Sequence, residues 1–399
     1  MELYLQYGHG MKKLSIDLIE KWGTGTVILS PRDLTTDKIS TYSEAFINVN
    51  GKTLLDPQLY YPRANHERLI SHDYWPDNYS TGFLTDGASL NNLLTKIKDL
   101  NQSAITSDYI LPSLFCSRVD EDWIYIQELI IDKSVTIMSD KKRFATLCLS
   151  YEVLRFEDQI EEIVARSESW DIDGYYIIAE HPNGQYLVDD PMWLANLLIL
   201  SSGLKLQGRK VIVGYSNHQM LSLATANVDA IASGSWLNVR NFTSQRFNIP
   251  EEESISRRAK WYYCPQSLSE YKIPFLDIAY RLNILDQMAP DKTLKSNYSQ
   301  VLFTGAQPSL TNYTEGDSFR HYLDILREQA ILSSRSTFNE TISAHEVLLN
   351  IAERYIKLFH KFGVRGQDRD YSDIIDVNRA AISLLQNARG FILSRQWNA

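Results

Sequence analysis

Short apolar runs alternate with longer helical patterns over the first part of the chain. Each run is too short for a helix and is bounded by polar residues or glycine, which is typical of strands buried on both faces of a parallel sheet. The clearest pair is the run 211–213, which ends at Gly214, and the run 229–233. Between them, residues 220–226 carry an apolar stripe with helical spacing. This arrangement predicts two parallel strands joined by a helical crossover.

Eight such strands are predicted before residue 240, at residues 3–5, 26–29, 53–55, 109–111, 145–149, 174–179, 211–213 and 229–233. Helical patterns lie between most of them, at residues 12–22, 89–98, 122–132, 156–170 and 192–203. Strands that alternate with helices in this number fit a closed (β/α)8 barrel, the TIM barrel. A doubly wound open sheet is the main alternative. The predicted fold class is therefore α/β, with the barrel at residues 1–245.

The pattern changes beyond residue 245. Helical spacing of apolar residues dominates at 275–288, 318–332, 343–362 and 371–394, while 261–265 is predicted to be extended. We expect residues 246–399 to form a mostly helical region packed on the barrel. We do not expect it to be a separate catalytic domain.

Composition narrows the function classes. The chain has 399 residues and a net charge of -9, which weighs against nucleic-acid binding without excluding an RNA or DNA substrate. Three widely spaced cysteines favour a reducing compartment, and no signal peptide or membrane span is evident, so we expect a cytoplasmic protein. Neither usual nucleotide-binding glycine motif is present.

Polar side chains follow several of the predicted strands, where barrel enzymes place their chemistry. Asp56 follows the third strand, and burial in the barrel mouth would raise its pKa and suit it to acid–base work or to binding a purine edge. A turn-capping role before Pro57 is the alternative. Nearby, Gln58 and Tyr60 could recognise a base by hydrogen bonding and stacking.

Other strand ends supply further candidates. Glu180 could bind an amino group of a base or act as a nucleophile, although it and His181 could also form an ion pair. His218 is a candidate general base or phosphate contact, with a solvent-exposed helix start as the alternative. The remaining candidate ligand contacts are Arg32, Asp33, His181, Asn217 and Ser233. Scattered histidines without a paired-ligand motif predict no metal site and no cofactor.

Several of these segments resemble the tRNA-guanine transglycosylases. Residues 54–60, LLDPQLY, are similar to that family's L-T-D-S-G-G-F, and 173–180 occupy the place of its G-G-L-x-V-G-E. Residues 27–31 lie where that family has another strand with a polar end. Arg209, the run to Gly214, Val228–Asp229 and Arg240 share the frame of the family's late strand–helix–strand unit. The resemblance spans roughly residues 25–270 and implies a TIM barrel that exchanges guanine for a 7-deazaguanine in nucleic acid.

The resemblance also implies roles for particular residues. Asp56 matches the acid that recognises and deprotonates the base, and Glu180 matches the Glu of the second motif. The family's nucleophilic Asp, which attacks the anomeric carbon of the ribose, is replaced here by Ala232. The family's zinc site, C-x-C-x-x-C with a later His, is reduced to Cys264, which alone cannot form a closed zinc site.

Two function classes follow. The first is a transglycosylase-like enzyme that binds a guanine-type or 7-deazaguanine base and exchanges or cleaves a glycosidic bond, with Glu180 as the substitute carboxylate. Divergent members of this kind accompany bacterial anti-phage and base-modification systems. The second is a non-catalytic barrel that binds a ligand or a partner. An unrelated TIM-barrel hydrolase or lyase is a third, weaker reading. The expected partners are the base and, as open alternatives, tRNA, DNA, a protein or a second copy in a homodimer.

Overall fold

A computed structural model describes residues 1–62, 64–248, 259–291, 293–294 and 296–397. One sheet contains the strands β1 (Glu2–Gln6), β2 (Gly25–Leu29), β3 (Gly51–Leu55), β4 (Tyr109–Ile110), β5 (Arg143–Leu149), β6 (Gly174–Ala179), β7 (Lys210–Val213) and β8 (Ala230–Ser233). All paired strands are parallel, in the order β3-β2-β1-β8-β7-β6-β5-β4. The outer strands meet where the Ser107 N–H donates to the Thr53 carbonyl at 2.8 Å. The predicted (β/α)8 barrel is confirmed.

Helices separate most of these strands. They are α1 (Met11–Trp22), α2 (Thr36–Ile47), α3 (Glu67–Ile70), α4 (Gly87–Ser103), α5 (Glu121–Ile137), α6 (Tyr151–Arg155), α7 (Glu157–Ser167) and α8 (Pro191–Leu206). Helix α2 was not predicted, and the single helix predicted at 156–170 is instead α6 and α7, which are divided at Phe156. The helical crossover between β7 and β8 is a 3-10 helix, His218–Ala226.

Polar side chains cross the barrel interior near its mouth. Tyr176 of β6 donates a 3.0 Å hydrogen bond to the side-chain carbonyl of Gln6 in β1. Gly214 leaves room for this crossing, because a Cβ at that position would lie 2.5 Å from the Tyr176 hydroxyl oxygen. The glycine that ends β7 is therefore required by packing against a side chain of the neighbouring strand.

The C-terminal region contains a hairpin and five α-helices within its described residues. The hairpin pairs β9 (Trp261–Cys264) with β10 (Ser269–Lys272) in antiparallel register. The helices that follow the barrel are α9 (Gln245–Asn248), α10 (Ile273–Arg281), α11 (Glu315–Ser333), α12 (Phe338–Lys361) and α13 (Ile374–Gln396). The helix predicted at 275–288 is thus shorter, and a 3-10 turn, Leu285–Met288, follows it.

Two helices hold this region against the barrel. Helix α13 packs along α8, which is buried on nearly all of its faces as a result. Helix α11 contacts α1, where Arg320 forms a 2.7 Å ion pair with Asp17 and the Trp22 indole donates to Asp324 at 3.0 Å. Within the described residues, no helix is long and apolar enough to span a membrane.

Candidate functional site

Asp56 lies at the carboxyl end of β3 and is fully buried. Its carboxylate accepts hydrogen bonds from the Gln58 backbone N–H at 3.1 Å and from the Tyr60 hydroxyl, and the Tyr176 hydroxyl, which donates to Gln6, lies 3.4 Å from it. Burial raises the pKa of Asp56 to about 7, and these hydrogen bonds offset only part of that rise. The carboxyl group therefore changes charge near neutral pH, which suits proton transfer or pH-sensitive binding.

Gln58 and Tyr215 face each other beside this carboxylate. The Gln58 amide nitrogen donates to the Tyr215 hydroxyl and to the Ser30 hydroxyl, each at 3.0 Å, while its carbonyl accepts from the Arg32 N–H at 2.8 Å. Both Gln58 (φ 54°) and Tyr215 (φ 51°) adopt left-handed backbone conformations. Such conformations are unfavourable for residues other than glycine and cluster at functional sites, and here they direct both side chains into one network.

The end of β2 adds charged groups to the same network. The Ser30 hydroxyl donates to the Asp33 carboxylate at 2.7 Å. Burial raises the pKa of Asp33, and the hydrogen bond from Ser30 partly offsets this rise. The Arg32 guanidinium lies 5.6 Å from the centre of the Phe247 ring. Arg32, Asp33, Asp56, Gln58 and Tyr60 thus lie together at the barrel mouth.

Aromatic rings cover this polar network. Phe242 and Phe247 stack with ring centres 5.4 Å apart, and both meet Tyr60 edge-on, at 5.6 and 5.1 Å. The Phe242 ring also meets Tyr215 at 5.3 Å. The void that remains beneath them measures about 10 Å³, which is close to the space of one water molecule. A planar base fits at Asp56 only after these rings move.

Glu180 and His181 lie in a separate, open cleft of about 850 Å³ at the ends of β5 and β6. The Glu180 carboxylate accepts from the backbone N–H groups of Ser244 at 3.1 Å and Tyr151 at 3.3 Å. The His181 ring lies 2.9 Å from the Gln185 carbonyl, and burial lowers the pKa of His181 to about 4. Glu180 and His181 are therefore neighbours that contact different partners, rather than the ion pair considered from the sequence.

The candidates that follow β7 and β8 lie apart from Asp56. Asn217 caps the 3-10 helix by accepting from the Gln219 N–H at 2.8 Å. His218 is fully buried, and its ring lies against Tyr263 and Tyr371 of the C-terminal region, at 5.0 and 5.6 Å. Burial lowers the pKa of His218 to about 4. The solvent-exposed helix start considered for His218 is wrong, because the C-terminal region covers it. Ser233 is buried beside Leu5.

Several contributors were missed from the sequence, among them Tyr176 and Tyr215. Tyr176 occupies the middle of a strand, so only its alternation with inward-facing neighbours could have indicated it. Tyr215 belongs to the polar cluster after β7, but its turn into the network depends on its unusual backbone angle. A second buried cluster was also missed, in which Glu270 of β10 pairs with Arg369 at 2.8 Å and with Arg240 at 3.4 Å.

The residues present do not fit the structural zinc ion of the transglycosylase family. Cys264 is fully buried, its thiol faces the Gln266 side chain and the Met288 carbonyl, and burial raises its pKa to about 11. The thiolate form that zinc requires is therefore disfavoured. No group of three or more metal-binding side chains comes together in the part of the chain that the structure describes.

The chain matches no protein-family model and no curated protein. Solved structures similar to it include a thiamine phosphate pyrophosphorylase from Pyrococcus furiosus, with 10% identity and a TM-score of 0.32 over 59% of this chain and 85% of that protein. A glucosidase from Croceicoccus marinus has 10% identity and a TM-score of 0.34 over 57% of this chain and 58% of that one. Xylanase10C from Cellvibrio japonicus has 10% identity and a TM-score of 0.35, with coverage of 84% and 68%. Similarities this weak support no inference about function, which must rest on the geometry of the site.

Proposed function

We propose that this protein is a divergent transglycosylase-like barrel that binds a guanine-type or 7-deazaguanine base at its mouth, with Asp56 as the recognising and proton-transferring group. The observation that carries the proposal is the fully buried Asp56 carboxyl, whose pKa of about 7 places it between its two charge states. A carboxylate accepts hydrogen bonds only, so the ionised form is complementary to the adjacent N–H donors on the edge of a guanine.

The groups around Asp56 support a planar, polar ligand. The Gln58 amide and the Tyr176 and Tyr215 hydroxyls can each donate and accept, so they can rearrange around a base edge. Phe242 and Phe247 offer aromatic faces above the network, and stacking on such faces stabilises any nucleobase. Most ligand pockets combine a few placed polar groups with aromatic walls in this way.

The arrangement of carboxylates favours binding of a base over covalent base exchange. Ala232, at the position of the family's nucleophile, is a buried strand residue and offers no carboxylate. Glu180 is the substitute carboxylate that the resemblance suggests, but two backbone N–H groups already hold its oxygens. Exchange would therefore need Glu180 to be released from both partners, which makes it the residue to substitute in an assay of glycosidic cleavage.

Ligand binding tests the proposal. We expect guanine, preQ0, preQ1 or queuine to raise the midpoint of thermal unfolding, and titration calorimetry to give a measurable affinity for the same base. Asp56→Asn preserves the shape of the side chain but removes its charge, so it should weaken the binding by roughly ten- to hundred-fold. Asp132→Asn, on the exposed outer side of α5, is the matched control and should bind as the unmodified protein does.

A non-catalytic barrel that binds a partner is the second candidate. One observation favours it: the Asp56 network satisfies its own hydrogen bonds, and only about 10 Å³ stays open beneath the aromatic cover. If none of the four bases alters the unfolding midpoint of the unmodified protein, the base-binding proposal fails and this candidate replaces it.

A further inference from the structure

The small void beside Gln58 and Tyr215, the hydrogen-bonding neighbours of Asp56, and the open cleft at Glu180 share a wall. Thr243 and Arg246 line both spaces, although the first measures about 10 Å³ and the second about 850 Å³. The chain between residues 238 and 247 therefore forms a thin partition, which we call the partition segment. A displacement of this one segment would connect the two spaces.

The inner side of the partition segment is held by ring contacts and by two hydrogen bonds, in which the Phe242 carbonyl accepts from the His181 N–H at 2.9 Å and the Asn241 amide donates to the Gly184 carbonyl at 2.9 Å. Phe242 and Phe247 lie against each other and against Tyr60, with ring centres 5.1 to 5.6 Å apart. These contacts carry no directional hydrogen bond between the rings, and aromatic side chains exchange rotamers without breaking a strand ladder. The inner side can therefore open at modest cost if the outer side is released.

The outer side is attached through Glu180. One carboxylate oxygen accepts from the Ser244 N–H of the partition segment at 3.1 Å, and the other accepts from the Tyr151 N–H at the start of α6 at 3.3 Å. Hydrogen bonds to a charged acceptor are about twice as strong as neutral ones. Glu180 thus connects the later part of the partition segment, residues 243–247, to a helix of the barrel, while the earlier part is fixed by the Phe242 backbone and by Arg240.

We propose that the partition segment is a gate between the open cleft and the Asp56 compartment, and that Glu180 is the latch that holds it closed. Opening requires the Glu180–Ser244 contact to break and the rings of Phe242 and Phe247 to swing toward the cleft, while the hydrogen bond between the Phe242 carbonyl and the His181 N–H stays in place as the hinge. The inference deepens the proposed base-binding function, on which its biological purpose rests. Glu180 is in this account a positioning residue, since it acts through the backbone of Ser244.

Cys148 is a native probe of the space behind the gate. Cys148 and Thr146 of β5 pair in register with Ile178 and Tyr176 of β6, and neighbours in register share a face of the sheet. Because Tyr176 points into the barrel toward Asp56, Cys148 also points inward. Its thiol is fully buried. A small reagent can reach it only when the mouth opens.

The test measures how fast methyl methanethiosulfonate modifies Cys148 in the full-length protein with Cys116→Ser and Cys264→Ser. In this background we expect Glu180→Ala to accelerate the modification by roughly ten- to hundred-fold. Removing the Glu180 charge also changes the ionisation of the Cys148 thiol. The matched variant is therefore Glu180→Gln, which removes the charge but keeps an oxygen that can accept from the Ser244 N–H.

The comparison between Ala and Gln decides the proposal. A rate for Glu180→Ala that exceeds that of Glu180→Gln by ten-fold or more supports the latch, whereas equal rates overturn it. The control is the rate at which the same reagent modifies buried Cys264 in the protein with Cys116→Ser and Cys148→Ser, because this rate reports general loosening of the structure. Parallel acceleration at Cys264 would also overturn the gate. No base is present in this assay, so its outcome is independent of whether guanine-type ligands bind.

Discussion

At the scale of single residues, Asp56 should impose a pH dependence on stability. Its pKa is about 7 in the folded protein and near 4 in an unfolded chain, so the folded state holds the extra proton between these values. The contribution of Asp56 to the free energy of unfolding is therefore greatest below pH ~4 and decreases as the pH rises toward 7. The contribution lost over that window is on the order of 4 kcal/mol.

Urea unfolding at several pH values checks this prediction. The difference in free energy of unfolding between Asp56→Asn and the unmodified protein should change from pH 5 to pH 8, with the variant becoming relatively more stable at the higher pH. Comparing the two proteins cancels the titration of all other groups that the substitution leaves unaltered. A difference that is constant with pH would show that Asp56 keeps an ordinary pKa.

The sequence located part of this site because a simple rule applies. Polar residues directly after parallel strands share one end of a barrel, and Arg32, Gln58 and Asp56 obey it. His218 also follows a strand, so the rule could not show that it lies outside this site. Its ring is buried by Tyr263 and Tyr371, which are more than forty positions later in the chain. Contacts made by distant parts of the chain have no local signature.

At the scale of structural elements, the β9–β10 hairpin is tied to the barrel by one buried acid. Burial alone would raise the pKa of Glu270, but Arg369 and Arg240 outweigh it and hold the pKa at about 2. The Tyr186 hydroxyl donates a further hydrogen bond at 2.7 Å. Glu270 therefore remains ionised at any pH at which the protein works.

Glu270→Ala should lower the free energy of unfolding by roughly 3–5 kcal/mol, because it leaves the buried Arg240 and the half-buried Arg369 without their shared carboxylate. Chemical denaturation at pH 7 measures this loss. The control is Glu328→Ala, which removes a partly exposed partner of Arg327 and should cost about 0–1 kcal/mol. Equal losses in the two variants would contradict a buried, energetically important cluster.

Elements with a strong apolar pattern were predictable, whereas elements that form only by pairing or packing with a distant segment were not. The apolar residues of α8 gave a clear helical pattern, and the structure extends it by only a few residues at the ends. The hairpin partner Ser269–Lys272 is mostly polar, so its pairing with Trp261–Cys264 had no matching apolar run. Similarly, the 3-10 geometry of His218–Ala226 cannot be distinguished from an α-helix by apolar spacing over two turns.

At the scale of the whole molecule, the C-terminal region and the open cleft occupy different sides of the barrel mouth. The hairpin and α11 cover the loops that follow β7 and β8, where Tyr322 lies under the Arg240 guanidinium at 3.5 Å. The loops after β5 and β6 stay open around Glu180. Access to Asp56 is therefore expected from the β5–β6 side, through the partition segment. The domain boundary at residue 245 stays a prediction.

The most direct test of the account is the affinity for a guanine-type base as a function of pH. Titration calorimetry with the base that gives the largest thermal shift should show tighter binding as the pH rises through about 7, because the ionised Asp56 carboxylate accepts hydrogen bonds from the base. Asp56→Asn should bind weakly and without this pH dependence. An affinity that is independent of pH in the unmodified protein, or unchanged by Asp56→Asn, would contradict a base site centred on Asp56.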